Sequence, residues 1–201
     1  MNREQEDYYG KYAGILEETL EDVRNDLEKI LNDLADDPEH SPYEHINSRI
    51  KDVTSIKDKL LRKGLDTDAY TGIKELSDVI GVRIVTHFVG DIYLILDSLK
   101  KHENWNILKV KDYIAKPKEN GYRSFHVILE VPFASDDPEK IKVELQLRTI
   151  AMDCWAAVEH QMRYKKDVNN SALIAGELKR CSDEMASTDL TMQTIRDVLM
   201  Q

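Results

Sequence analysis

The chain has 201 residues, 41% hydrophobic and 33% charged, enough for one globular domain with a sizeable core. No apolar run reaches the length of a membrane span, the opening MNREQEDYYG is no signal peptide, and Cys154 and Cys181 make neither a disulfide framework nor a zinc pattern, so a reduced, cytoplasmic protein is expected. The net charge of −10 is uneven: residues 1–39 hold 13 acidic and 4 basic side chains, residues 167–201 hold 6 and 3, and the remainder is +2, which argues against broad duplex-DNA binding and allows a pocket for a compact anion such as a nucleotide.

Ile15, Leu16, Leu20, Val23, Leu27, Ile30, Leu31 and Leu34 recur at helical spacing and predict a long N-terminal helix ending near Asp36–Pro38. HSPYEHINSRI reads as the start of a second helix, with Ser41 as N-cap and Pro42 at the first helical position. A further helix is expected from about Ile50 to Lys63, closed by Gly64. DVIGVRIVTHF is rich in β-branched residues and reads as a strand, DIYLILDSLKKH as a helix, and NWNILKVKDYI as a second strand. A loop with Pro117 and Asn120-Gly121 follows. RSFHVILEVPF and IKVELQLRT are two more strands, AMDCWAAVEHQMRYKK is a helix, and the last thirty or so residues form an amphipathic helix or helical pair. This order implies an α+β domain: a mixed, mostly antiparallel β-sheet flanked by helices, with helical arms at both ends.

Alternation along the last two strands is the first chemical clue. Ile141, Val143, Leu145 and Leu147 share one face; Lys142, Glu144, Gln146 and Arg148 share the other. Phe125, Val127, Leu129 and Val131 face one way, Tyr122, Ser124 and His126 the other. Paired, the two strands would gather Tyr, His, Glu, Gln and Arg on one surface. A solvated sheet face explains the pattern too, but it has no need of an aromatic beside Asn-Gly.

Residues 49–63 hold six cations against two acids, and Lys51, Ser55 and Lys59 are four apart, as one helical face requires. Two ammonium groups flanking a hydroxyl can hold phosphate oxygens; an ordinary basic helix surface is the alternative. No Gly-rich phosphate loop of a familiar kind occurs. Asp78 at a strand start and Glu144 on another strand could bind a hard cation such as Mg²⁺ together with substrate phosphates, although Asp78 also suits a turn. Arg83, inside a strand, needs a partner if it points inward. Trp105, Trp155, Val158 and Met162 read as core, and both cysteines as inert.

SRIKDVTSIKDKL, SDVIGVRIV, YIAKPKENGYRSFH, VELQLRT and WAAVEHQMRYK stand in the order seen in the synthetase domain of the RelA/SpoT alarmone family, and the chain resembles its small, RelP- and RelQ-like synthetases. The resemblance covers about residues 41–166 and implies a single nucleotidyltransferase-like synthetase domain over 1–201, with 1–40 and 167–201 as oligomerisation arms. With no His-Asp dipeptide and no room upstream, no hydrolase domain is expected. The implied reaction moves pyrophosphate from ATP to the 3′-hydroxyl of GDP or GTP, giving AMP and the alarmone ppGpp or pppGpp of the stringent response. Asp78 and Glu144 match the family's catalytic, Mg²⁺-binding carboxylates. Arg49 and Arg83 match the adenine-stacking pair, Lys51, Ser55 and Lys59 the phosphate contacts, and Arg148 is a further phosphate candidate or a brace for Glu144. Tyr122 matches the aromatic that stacks on guanine, with Lys118, Asn120, His126 and Gln146 around the acceptor and Asp153 facing the guanine N1 and N2 donors. His160, Tyr164 and Lys165 match a family block without a settled role. The resemblance also implies a homotetramer, with an allosteric (p)ppGpp site and single-stranded RNA as further ligands some relatives use. Two other readings stay open: a toxin-like relative that pyrophosphorylates the 3′ end of tRNA, and a catalytically inactive nucleotide- or RNA-binding homologue.

Overall fold

The computed structural model describes residues 1–35, 41–163 and 171–200. Among these residues, seven α-helices and five strands follow one another as α1 (Arg3–Tyr9), α2 (Ala13–Asp33), β1 (Tyr43–Ile50), α3 (Val53–Arg62), α4 (Ala69–Glu75), β2 (Ile80–Thr86), α5 (Val89–Leu99), β3 (Asn106–Asp112), β4 (Phe125–Pro132), β5 (Lys140–Thr149), α6 (Ile150–Arg163) and α7 (Ser171–Leu199). The sheet order is β1-β2-β5-β4-β3. β2 and β5 run parallel; every other neighbouring pair is antiparallel. The expected α+β class and mostly antiparallel sheet are therefore observed.

The register separates the sheet's two faces. Val82, Leu145 and Val127 stand side by side, as do Ile80, Val143 and Leu129, then Ile84, Leu147 and Phe125. All are buried. α2 and α5 complete this core with Leu16, Val23, Leu27, Leu31, Ile92, Ile95 and Leu99. The opposite face carries the polar residues of the same strands, as their alternation requires.

Within the stretch read as a helix start, Tyr43–Ile50 forms β1 instead. Ser41 does cap, but it caps a turn: Tyr43 N donates to Ser41 Oγ at 3.3 Å and Ser41 Oγ donates to Tyr43 O at 2.9 Å. The same short side chain serves either motif, and pairing with β2 decides between them. β1 takes Arg49 and Ile50, so α3 begins later than expected, at Val53, with Asp52 as N-cap accepting from Ser55 N. Gly64 follows that helix at φ +69°, a conformation glycine adopts without steric cost. The short α4, capped by Asp68, was not anticipated.

The N-terminal stripe is not left for a partner. Leu16, Val23, Leu27 and Leu31 lie in the chain's own core, because α2 packs on β1, β2 and α5. α7 keeps the exposed stripe, with Leu190, Ile195 and Val198 open to solvent. The expected end of the first helix near Asp36–Pro38 lies outside the described residues, as do Tyr164 and Lys165. Trp105 and Trp155 are buried as expected; Val158 and Met162 are 43% and 47% exposed, because the inner side of α6 is taken by Met152 and Trp155.

Leu27→Ala should lower unfolding stability by about 2–5 kcal/mol, the usual cost of a cavity at a fully buried leucine, read from the urea midpoint. A change below about 1 kcal/mol would mean that α2 is a detachable arm.

Candidate active site

Three rows cross the polar face of the sheet. Arg49, Gly81 and Glu144 are in register across β1, β2 and β5, as are Asn47, Arg83, Gln146 and His126 across β1, β2, β5 and β4. Arg148 lies in the third row beside Val85. Arg49, Asp78, Gly81, Arg83, Glu144 and Gln146 line a cleft with about 660 Å³ of free space, part of it open to solvent. Gly81 is its floor. A Cβ built there meets nothing within 4 Å, so any side chain would project into the cleft between Arg49 and Arg83. The lone glycine among β-branched residues was the signal for this role.

At the β1 side, the loop before β2 places Asp78 against two cations. Lys51 Nζ donates to Asp78 Oδ2, and Lys59 Nζ donates to Asp78 Oδ1 at 2.7 Å. Burial pushes the Asp78 carboxyl up, but the two lysine hydrogen bonds and charges hold it below the usual range. Lys51 precedes α3 rather than lying on it, yet it joins Lys59 at one point; Ser55 stands on the first turn of α3 and braces its cap.

Glu144 sits at the centre. Gln146 Nε2 donates to its Oε2 at 2.8 Å, and His126 Nδ1 lies 3.4 Å from its Oε1. Burial raises this carboxyl too, and the contacts from His126 and Gln146 more than reverse the shift, against a repulsive contribution from Asp78. The two carboxylates are thus close enough to sense each other.

Arg148 is 6% exposed and fans out beneath the face. Its Nε donates to Ser124 Oγ at 3.3 Å, its Nη1 to Asp153 Oδ1 at 3.0 Å, and its Nη2 to Tyr122 Oη at 2.7 Å and Gln146 Oε1 at 3.1 Å. It is placed as a brace, with little open edge for a phosphate. Asp153, in the first turn of α6, also takes Arg83 Nη1 at 3.2 Å, while Arg83 Nε is buried without a partner among the described residues. Burial, then the nearby Arg148, weakens Arg83's hold on its proton.

On the β4 side, Tyr122 Oη is 2.8 Å from His126 Nε2. A second, wide recess is bounded by Tyr113, Lys118, Asn120 and Tyr122. The Lys118 ammonium lies 4.7 Å from the Tyr113 ring centre and 4.6 Å from that of Tyr122. Asn120 Oδ1 accepts from Tyr122 N at 3.2 Å, and Asn120 Nδ2 donates to Glu159 at 3.3 Å. Tyr113 was not singled out from the sequence; its signal was its place across the β3–β4 ladder, where Tyr113 N donates to Ser124 O at 3.0 Å. Of the residues named from the sequence, Arg49, Asp78, Arg83, Glu144 and Gln146 line one recess and Lys118, Asn120 and Tyr122 the other. Lys51 and Lys59 join the first through Asp78, Ser55 stands apart on α3, and His126, Arg148 and Asp153 link the two through their contacts with Tyr122, Glu144, Gln146 and Arg83.

Residues 48–169 match the model of the region found in RelA and SpoT proteins. The chain belongs to the RelA/SpoT family. It is 44% identical over 145 residues to the GTP pyrophosphokinase YwaC of Bacillus subtilis (strain 168), covering 72% of this chain and 69% of that protein. Its fold is similar to that of small alarmone synthetase 2 from Bacillus subtilis, with a TM-score of 0.80 at 38% identity over 91% of this chain and 96% of the other. It is equally similar to small alarmone synthetase 1 from the same organism, solved bound to its product pppGpp, with a TM-score of 0.80 at 32% identity over 92% and 95%. The two recesses lie in the elements shared with this RelA/SpoT region, apart from their contacts with α7.

Gly81→Val should leave the melting temperature in scanning calorimetry unchanged within about 2 °C, because a Cβ there meets nothing within 4 Å and the branched side chain enters the open cleft. A pH prediction follows from Asp78. Its folded pKa lies below the unfolded value of about 3.9, so its contribution to stability is present above that value and is lost as pH falls through the folded pKa. The urea midpoint should hold from neutrality to about pH 5 and fall below it. Asp78→Asn should flatten that acid limb and lower the neutral midpoint, since Lys51 and Lys59 lose their counter-charge.

Proposed function

We propose that the chain is a (p)ppGpp synthetase that transfers the β,γ-pyrophosphate of ATP to the 3′-hydroxyl of GDP or GTP and releases AMP. The observation that carries this reading is a cleft lined by Asp78 and Glu144 beside a second recess at Tyr122, the two linked from Tyr122 through His126 to Glu144, within the region matched to the RelA/SpoT family.

The Gly81-floored slot between Arg49 and Arg83 suits adenine, since guanidinium planes stack on flat π-systems. The triphosphate then runs toward Lys51, Ser55 and Lys59. Guanine stacks on Tyr122 in the other recess, with Lys118 released from between the two tyrosines to meet phosphate or ribose. The acceptor's 3′-oxygen thereby faces Glu144 and the ATP β-phosphorus.

In the transfer, a bond forms from the 3′-oxygen to the β-phosphorus. The bond from the β-phosphorus to the α–β bridging oxygen breaks, and AMP leaves with that oxygen. The hydroxyl proton passes to Glu144. A carboxylate held below its usual pKa is a weak base, so Glu144 works first by orienting the hydroxyl and takes the proton late. Asp78 and Glu144, two carboxylates on one cleft beside the phosphate path, fit Mg²⁺ held jointly with substrate phosphates. Bound there, Mg²⁺ neutralises charge on the transferring group. Lys51 and Lys59 exchange their contact with Asp78 for phosphate oxygens when the nucleotide arrives.

The exposed apolar residues of α7 are read as an assembly face for further copies, consistent with a homotetramer. No helix among the described residues is long and apolar enough to cross a membrane.

The test is a product assay with Mg²⁺, ATP labelled at the γ-phosphate, and GDP, GTP or tRNA in separate reactions. Label should pass to the guanine nucleotides with AMP formed in step, and Glu144→Gln should lower kcat by at least about a hundredfold with ATP binding retained. Label in tRNA alone would move the protein to the tRNA-modifying reading.

A further inference from the structure

α7 lies beyond the stretch matched to the family region, yet it grips the acceptor-side loop on both flanks of Tyr122. Ser182, 3% exposed, donates from Oγ to Gly121 O. Gly121 has φ +89°, and a Cβ there would lie 2.9 Å from Ser182 Cβ and 3.2 Å from Lys179 Cα. The loop backbone is thus pressed directly on the helix, and only glycine permits both the dihedral and the approach. On the other flank, Arg123 Nη2 donates to Asp183 Oδ1 at 2.8 Å. Tyr122 itself hangs between these two fastenings with its ring turned to the recess.

The helix is referenced to the catalytic strand. Thr149 Oγ1, at the end of β5, donates to the buried Asp189 at 2.6 Å, and Trp155 Nε1 donates to Leu178 O at 2.8 Å. α7 therefore links the backbone around Tyr122 to the strand that carries Glu144. An ordinary packing helix would not need to hold adjacent loop residues through a carbonyl on one side and a guanidinium on the other.

We infer that Ser182 and Asp183 of α7 are positioning residues for the guanine-nucleotide acceptor, setting the height of Tyr122 over its recess. The inference rests on the proposed acceptor site. It separates acceptor binding from the rest of catalysis, because neither residue touches the ATP cleft.

Steady-state kinetics of the full chain, varying GDP and ATP separately, test it. Ser182→Ala should raise the GDP KM roughly threefold to tenfold, the range of one hydrogen bond. Asp183→Ala, at a half-exposed ion pair, should raise it about twofold to fivefold, and Asp183→Glu should restore it. The ATP KM and kcat should not change. Tyr122→Ala is run alongside. A raised GDP KM in Tyr122→Ala with an unchanged one in both α7 variants overturns the positioning role alone. An unchanged GDP KM in Tyr122→Ala overturns the acceptor site and the positioning role with it. Equal changes in the GDP and ATP constants, or a fall in kcat in step, would mean a merely structural helix and also overturn the inference.

Discussion

The site depends on one buried guanidinium. Arg148 is almost wholly removed from water, and a charge in that position persists only if its donors are matched. Four side chains match them: Ser124, Tyr122, Gln146 and Asp153. Each then orients something else. Tyr122 meets His126, Gln146 donates to Glu144, and Asp153 holds Arg83. A rigid planar donor fork thereby ties Tyr122, Glu144 and Arg83 into one geometry. Lysine could supply the charge but not the divergent donors.

The electrostatics show a site balanced against its own ligands. Asp78 is neutralised by Lys51 and Lys59, and Lys118 rests on two aromatic faces. These cations have internal partners in the free protein, so the recesses are not left with uncompensated buried charge. In the proposed reaction, phosphates would take the two lysines and so release Asp78 toward a cation that accompanies the nucleotide.

Much of this was legible because strand alternation is a two-residue code. Ile141 to Leu147 and Phe125 to Val131 identified the core face, and by the same count Glu144, Gln146, Arg148 and His126 had to share the other. The edge strand β1 was less legible. It buries little, its alternation is weak, and Ser41-Pro42 carries chemistry that suits a helix start as well as a turn. Arg148 illustrates a different limit: its spacing placed it on the polar face, but nothing local to β5 says that Tyr122 and Asp153 converge to enclose it. Likewise Tyr113 acts through what lies across the ladder, which a linear reading cannot see, whereas Gly81 stood out as the one glycine among β-branched residues.

The division between the sheet and α7 has a consequence for how such an enzyme can vary. The cleft at Asp78 is made by β1, β2, β5 and the loop before β2, with Lys59 of α3 at its edge, and these positions follow from sheet register and a short capped helix. The recess at Tyr122 is bounded mainly by a loop, whose irregular backbone gains order from what packs on it. Here that support is a long helix whose other side exposes Leu190, Ile195 and Val198. A helix fastened to the catalytic strand at Asp189 and to the loop at Ser182 transmits any shift along its own axis to Tyr122. Asp78 is held by Lys51 and Lys59, while the backbone around Tyr122 is held from α7, so the two recesses draw their support from different parts of the chain and are joined at Glu144 through His126 and the Arg148 network.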